Sequence, residues 1–375
     1  MRLLENLRQS LAKGGAGQPP PRAAVDVAVT FQDLRGIVNT SRISVVVATR
    51  NRANDAGACL RCILANPGAD FDVIVVDQSD NDATKEAMAP FLADPRFRYL
   101  RSETRGLSIS RNVGIASTRA PIIAFTDDDC RVREDWIASL QQVFGANPDA
   151  AIVFGRVTVP SDVDGSHRYA AQFEPITREY QNCFPPADTP WGIGANMAFR
   201  RSVFDEVGTF DPLLGAGAKF PAAEEYDLTI RSLAAGMKVL NAAEVSVLHL
   251  GVRESDVASA LVSGYGVAIG AALAKHVRLG TKNGVYLLAG WVASHGTSAV
   301  RNAVLGRRPT NLRFVAGLLT GIARSLRQPI DRSRFVYEAN QSVASGCDDR
   351  TFPVVPPIGP ALREVSPQRE SAPPL

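Results

Sequence analysis

The chain has 375 residues, 45% hydrophobic and 21% charged, ordinary values for a globular protein with one large or two modest domains. Five cysteines, an odd number, argue against a disulfide framework and fit a reducing compartment. The net charge of +3 hides an asymmetry: residues 257–330 carry nine Lys or Arg and no Asp or Glu, leaving 32 basic and 38 acidic residues elsewhere. Such a split points the basic segment toward an anionic surface.

In chain order, Leu3, Leu4, Leu7 and Leu11 share one face of a short helix, and Glu5, Asn6 and Arg8 interrupt them, so the stretch does not read as a signal peptide. Residues 13–22 (KGGAGQPPPR) form a Gly/Pro linker. A β-branched run at 43–48 (ISVVVA) has the length and composition of a buried parallel strand. A helix is expected over 55–64, ended by Asn66-Pro67-Gly68. It contains Cys59 and Cys62, a CxxC with no second CxxC after it, better explained as two small apolar side chains on a buried helix face. A second buried strand spans 71–76 and closes on Asp77; helix is expected over 81–92, strand over 97–100 and helix over 108–117.

The strand that follows, PIIAFTDDDC at 121–130, ends in Asp127, Asp128 and Asp129. Adjacent carboxylates repel by several tenths to ~1 kcal/mol per close pair even in water. A divalent cation with its preference for hard oxygen ligands relieves that repulsion; an acidic first turn before Asp135-Trp136 is the plain alternative. Strands and helices alternate at about 25–30 residues per unit, the signature of a parallel sheet with right-handed crossovers. Ligands of such sheets bind at the strands' carboxyl ends, which here are 49–52, 77–80 and 127–129. Further on, a strand is expected over 151–160, a long polar loop over 162–190, a helix over 202–207, a helix over 224–235 and a last strand over 245–249.

The strings VVVATRNR, VIVVDQSD, SRNVGIASTRAPIIAFTDDDC, GANMAFRRSVFDEVGTFD, EEYDLTIRSLAAGMKV and VSVLHL resemble, in this order, the markers of family 2 glycosyltransferases. The resemblance implies, over about 42–251, an α/β GT-A fold, Rossmann-like, with a mostly parallel sheet and helices on both faces. With the composition on either side of it, four parts are expected: an amphipathic segment and linker over 1–40, the glycosyltransferase domain over 41–251, a C-terminal basic helical region over 252–330 and a Pro-rich, disordered tail over 331–375.

By similarity, Thr49, Arg52, Asp77, Arg105, Arg111 and Asp127 bind the nucleotide part of a nucleoside-diphosphate sugar, Asp77 through the base. Asp127, Asp129 and His249 hold a divalent metal, Mg2+ or Mn2+. The family's acidic-Asp-x-Asp-Leu string is here Glu224-Glu225-Tyr226-Asp227-Leu228, so a Glu stands at the base position. The assignment lies between Glu224 and Glu225 and is given to Glu225, with Asp227 in a positioning role. Trp191, Gly192 and Asn196 are expected near the acceptor.

The implied reaction is inverting transfer of the sugar to a hydroxyl of a saccharide or lipid-linked acceptor, in cell-surface polysaccharide or glycolipid assembly. A nucleotidyltransferase and a non-catalytic assembly subunit are the alternatives. The apolar, basic stretches at 257–274, 285–299 and 312–323 are expected to lie on an anionic membrane at the inner face of the cell membrane, or else to form a bundle on the catalytic domain. Sparse aromatic residues argue against nucleic acid.

Overall fold

The structure, a computed structural model, describes residues 42–68, 70–161, 168–169, 171–175, 179–181, 183–184, 191–306, 312–338 and 363–364. The expected N-terminal amphipathic helix and linker lie outside these residues. The first half of the body runs β1 (Ile43–Thr49), α1 (Ala53–Leu64), β2 (Phe71–Asp77), α2 (Ala83–Met88), β3 (Phe97–Arg101), α3 (Leu107–Ala116), β4 (Ile122–Asp127), β5 (Cys130–Val132) and α4 (Trp136–Ala146). The second half runs β6 (Ala150–Thr158), β7 (Arg168–Tyr169), β8 (Glu179–Tyr180), β9 (Asn196–Arg200), α5 (Arg201–Val207), α6 (Glu224–Ala234), β10 (Lys238–His249) and β11 (Arg253–Glu254). Helices α7 (Ser255–Arg278), α8 (Lys282–Val304) and α9 (Leu312–Leu326) and short strands β12 (Ile330–Asp331), β13 (Val336–Tyr337) and β14 (Arg363–Glu364) follow.

The sheet is ordered β14-β3-β2-β1-β4-β9-β6-β10-β5. Strands β3, β2, β1 and β4 are parallel, while β9 is antiparallel to both β4 and β6. Ile43, Val45, Val46 and Val47 are buried along β1, as a strand covered on both faces requires. On α3, Gly114 lets the helix settle onto β1, since a Cβ there would lie 2.3 Å from Val46 Cγ1. Phe125, Phe199, Phe204 and Phe210 interlock between β4, β9 and α5 with ring centroids 5.3–6.4 Å apart. The order reverses at β1, with β2 on one side and β4 on the other, so a crevice opens between the carboxyl ends of β1 and β4. Thr49 and the acidic triplet stand there.

Three expectations are corrected. The last long strand begins at Lys238, not at 245: residues 238–242 pair with β6, and an irregularity between Ala242 and Ser246 splits the apolar pattern that the sequence offers. The 162–190 segment is not wholly loop, because β8 pairs with β10 and Phe173 is buried, exchanging two 2.9 Å backbone hydrogen bonds with Val157. The ordered chain also continues past 331. β13 pairs with β12, and Tyr337 is buried with its hydroxyl 2.6 Å from the Ala271 carbonyl oxygen.

Helices α7 and α9 cross at four glycines. A Cβ on Gly266 would lie 2.4 Å from Phe314 O, on Gly270 2.2 Å from Leu318 O, on Gly317 2.4 Å from Ser263 O and on Gly321 2.0 Å from Val267 O. Only hydrogen side chains allow backbones this close. Among the described residues no helix is long and apolar enough to cross a membrane. Helix α7 packs on the α/β body, as the bundle alternative expects. Its Lys275 is fully buried, with Nζ 2.6 Å from Asp211 and 2.8 Å from Asp227 of α6. Asp227 also accepts from Arg231 at 3.1 Å and lies 3.0 Å from His276 Nε2, and the Tyr337 N–H donates to Asp211 at 2.9 Å. Two carboxylates against Lys275 and Arg231 balance the buried charge, which a low-dielectric interior demands.

Candidate active site

A cleft of about 700 Å³ lies over the carboxyl ends of β1 and β4, a size suited to a small-molecule ligand. Asp127, Asp128 and Asp129 stand on its floor, with Arg111, Glu224, Glu225 and His249 around them. Thr49 Oγ1 donates to Asp128 Oδ2 at 2.8 Å, which ties β1 to the triplet. Arg52 Nη1 donates to Asp128 Oδ1 at 2.9 Å and to Asp129 Oδ2 at 2.8 Å. Arg111 reaches from α3 across the floor: Nη1 donates to Glu224 Oε1 at 2.7 Å and Nη2 to Asp127 Oδ1 at 3.1 Å. With 3% and 7% of their side chains exposed, Arg111 and Glu224 form a buried pair whose rupture would strand a charge.

These neighbours push the carboxylates in different directions. Burial raises Asp127 against the pull of Arg111, and raises Asp128 to about 6 despite Arg52 and Thr49. Burial also acts to raise Asp129, but His249 and Arg52 outweigh it and hold it below the ordinary value. For His249, burial pulls down and Asp129 pulls up, and the upward pull wins. Glu225, on the first turn of α6, is pushed up to about 8 by burial and by Glu224 beside it. Ala223, just before this turn, has φ +69°, a left-handed conformation that sets the direction in which α6 starts.

Among the described residues one group has metal-ligand spacing: Asp129, Cys130 and His249. His249 Nε2 lies 3.2 Å from Asp129 Oδ1, and among the described residues that buried oxygen makes no hydrogen bond. The His249 Nδ1 sits 3.0 Å from the Ala171 carbonyl oxygen, which fixes the tautomer that presents Nε2. Gly251 keeps the adjoining space open, since a Cβ there would lie 2.6 Å from Asp129 Oδ2 and 2.7 Å from His249 Nε2. A hard carboxylate oxygen left without a hydrogen bond among the described residues, with an imidazole nitrogen 3.2 Å from it, fits a divalent cation such as Mg2+ or Mn2+. Burial pushes the Cys130 thiol well up, and its soft sulfur matches a hard cation less well than the Asp129 oxygen does.

Of the residues expected from the sequence, Thr49, Arg52, Arg111, Asp127, Asp129, Glu225 and His249 come together at this cleft. Asp127 stands outside the group with metal-ligand spacing and is instead tied to Arg111. Asp77 does not reach the cleft. It is fully buried, and its carboxylate accepts from the Ser79 N–H at 2.8 Å, the Tyr99 hydroxyl at 2.6 Å and Arg101 at 3.0 Å. The adjacent Gln78 lines the cleft in its place. Arg105 is half-exposed and paired with Asp80 away from the floor. Trp191 and Gly192 line the cleft, whereas Asn196 is a fully buried staple: it donates to Arg156 O and Val245 O at 2.9 Å each and accepts from Trp136 at 3.0 Å. Asp128 is the floor residue absent from the expected set, although its place between Asp127 and Asp129 was a usable signal.

Residues 44–208 match the family model described as glycosyl transferase family 2. The chain is 27% identical over 206 residues to glucosyl-dolichyl phosphate glucuronosyltransferase of Haloferax volcanii, covering 51% of this chain and 63% of that protein. It is 28% identical over 182 residues to glycosyltransferase AglE of the same organism, covering 47% and 58%. The chain therefore spans less than two thirds of the length of these curated relatives. A solved mannosyltransferase from Pyrobaculum calidifontis, in complex with GDP-Man and Mn2+, shares the fold with a TM-score of 0.52 at 18% identity, over 76% of this chain and 87% of that one.

Proposed function

We propose, for a chain whose residues 44–208 are a family 2 glycosyltransferase domain of GT-A fold, that the protein transfers a sugar with inversion from a nucleoside-diphosphate donor to a hydroxyl of a saccharide or lipid-linked acceptor. The observation that carries this reading is the convergence of two unlike devices on one cleft. One is the Asp129–His249 pair with its orphaned oxygen, and the other is Glu225, raised and facing the cleft with no side-chain partner among the described residues. Inverting displacement needs one base and one stabiliser of the leaving group, on opposite sides of the sugar.

Asp129 and His249 are the residues that would hold Mg2+ or Mn2+, which when bound neutralises charge on a departing diphosphate. Thr49 and Arg52 hold Asp128 and Asp129 in place, and Arg52, 37% exposed, keeps donors for phosphate oxygens. Asp127, 32% exposed, accepts from a ribose hydroxyl or a water, oriented by Arg111. Glu225 takes the acceptor's proton; its raised pKa makes it a stronger base once ionised. Glu224, occupied by Arg111, holds that arginine and keeps Glu225 basic. Asp77 shapes the β2 end through Tyr99 and Arg101, and Arg105 must leave Asp80 before it can reach a donor.

The relative named for glucosyl-dolichyl phosphate supports a place in glycolipid or cell-surface polysaccharide assembly. The helical region 252–330 is the part that would meet an anionic membrane peripherally, at its inner face. Tyr286 on α8 and Leu312, Leu319 and Leu326 on α9 are more than half exposed, and residues 257–330 hold nine basic and no acidic side chains.

The test is to incubate the purified protein with a panel of nucleoside-diphosphate sugars and Mn2+. Metal-dependent release of nucleoside diphosphate with formation of a glycoside supports transfer, whereas release of pyrophosphate assigns nucleotidyl transfer instead. Transfer that survives unchanged in Glu225→Gln removes Glu225 as base, and its absence from the wild type with every donor favours a non-catalytic subunit.

A further inference from the structure

The cleft has two unlike walls. The sheet edge presents carboxylates and arginines, while the C-terminal helices present Leu261, Tyr265 and Ile269 from α7 and Trp291 from α8. The α7 residues recur every fourth position, so they form one stripe along the helix. Tyr226, the residue after Glu225, links the two walls. Its ring packs tilted against Trp191 at 4.6 Å between centroids, and its hydroxyl accepts from Trp291 Nε1 at 3.0 Å. Among the described residues, the buried indole N–H of Trp191 has no hydrogen-bond partner. Tyr265 is 38% exposed although it is a large, largely apolar side chain.

A wholly hydrophilic acceptor would spread hydroxyl groups over this wall and find few partners for them, at the desolvation cost of each unpaired group. An acceptor with a polar head at Glu225 and an apolar body on the α7 stripe satisfies both sides. We infer that the acceptor is an amphiphile whose apolar part lies on the Leu261–Tyr265–Ile269 stripe and whose hydroxyl is presented past the Trp191–Tyr226–Trp291 corner. This rests on the transfer reading and narrows it to one acceptor class.

The chain has three tryptophans, and two of them, Trp191 and Trp291, stand at this corner. Intrinsic fluorescence therefore reports on it. The full-length protein is titrated with methyl, hexyl, heptyl and octyl β-glucosides below their micellar concentrations. The expected result is a saturable change with the longer glycosides, the dissociation constant falling about fourfold per CH2 group, and none with the methyl glycoside. Leu261→Ser and Tyr265→Ser should each flatten this chain-length dependence. Val292→Ser, on the exposed part of α8 outside the cleft lining, should not. A slope unchanged by the α7 variants, or equal responses to methyl and octyl glycosides, overturns the inference. The thermal shift given by nucleoside diphosphate with Mn2+ separates the two levels. A shift retained while the slope is absent rejects the amphiphile alone; no shift with any nucleoside diphosphate rejects the transfer reading beneath it.

Discussion

Glu225 and Asp227 stand two residues apart on α6 and have opposite fates. Glu225 faces the cleft, where burial and Glu224 drive its pKa up to about 8. Asp227 faces the seam between α6 and α7, where burial also opposes its charge but Lys275 and Arg231 outweigh it and hold it far below the ordinary value. His276 in the same seam is pulled down by burial despite Asp227, so the neutral imidazole completes a balanced cluster. Helical phase decides which carboxylate faces the cleft and which becomes a structural ion. Both regions depend on charge, but only the seam is fully paired.

The comparison breaks most sharply at Glu225, the proposed base. Glu225→Gln should lower turnover roughly 10²–10⁴-fold with donor affinity little changed, because general-base loss acts on the chemical step. Steady-state kinetics with separate donor titration measure this, and a smaller loss than in Glu224→Gln would move the base to Glu224. At the seam, Lys275→Met leaves Asp211 and Asp227 facing each other without their shared cation. It should destabilise the fold by ~3–5 kcal/mol, read from urea unfolding. A loss below ~1 kcal/mol would mean that the seam is not an ionic lock.

The two carboxylates also give opposite pH limbs. Glu225 has a folded pKa above its unfolded one, so the stability it contributes is complete below pH ~4.5 and is lost as pH rises toward about 8. Asp227 has a folded pKa below its unfolded one, so its contribution is present above pH ~4 and is lost as pH falls through the folded value. Glu225→Gln should flatten the fall of stability between pH 5 and 8, as followed by thermal unfolding across that range. An unaltered slope would mean that Glu225 is not perturbed by its neighbours.

A weaker test concerns close approach rather than charge. Gly321→Ala should cost ~1–3 kcal/mol through overpacking against the Val267 carbonyl, with α6 chemistry spared if the seam alone carries the coupling. Calorimetry and turnover on the same variant separate the two. The smallest expected effect is at the surface: Arg324→Gln and Arg327→Gln should each weaken pelleting with anionic vesicles by ~1 kcal/mol at most, and high salt should erase the difference.

The sequence by itself determined the elements whose signal is local. The valine-rich run of β1, the apolar run of β4 into Asp127–Asp129 and the acidic start of α6 each carry their strand or helix in their own composition, and strand-end position alone gathers Thr49, Arg52 and the triplet at one edge. Cys59 is buried in α1 as its helical spacing suggests. What the sequence could not display is which partner each side chain meets across long separations. Asp77 looked available until β3 supplied Tyr99 and Arg101 to occupy it; Asn196 looked like a ligand residue until Trp136, Arg156 and Val245 consumed its amide. Lys275 and His276 read as the basic end of an apolar helix, yet the chain turns them inward to neutralise Asp211 and Asp227. Backbone propensity and hydrophobic period act over a few residues and can be read in order. Charge compensation and close packing act through space, and only the folded chain decides which groups are left for chemistry.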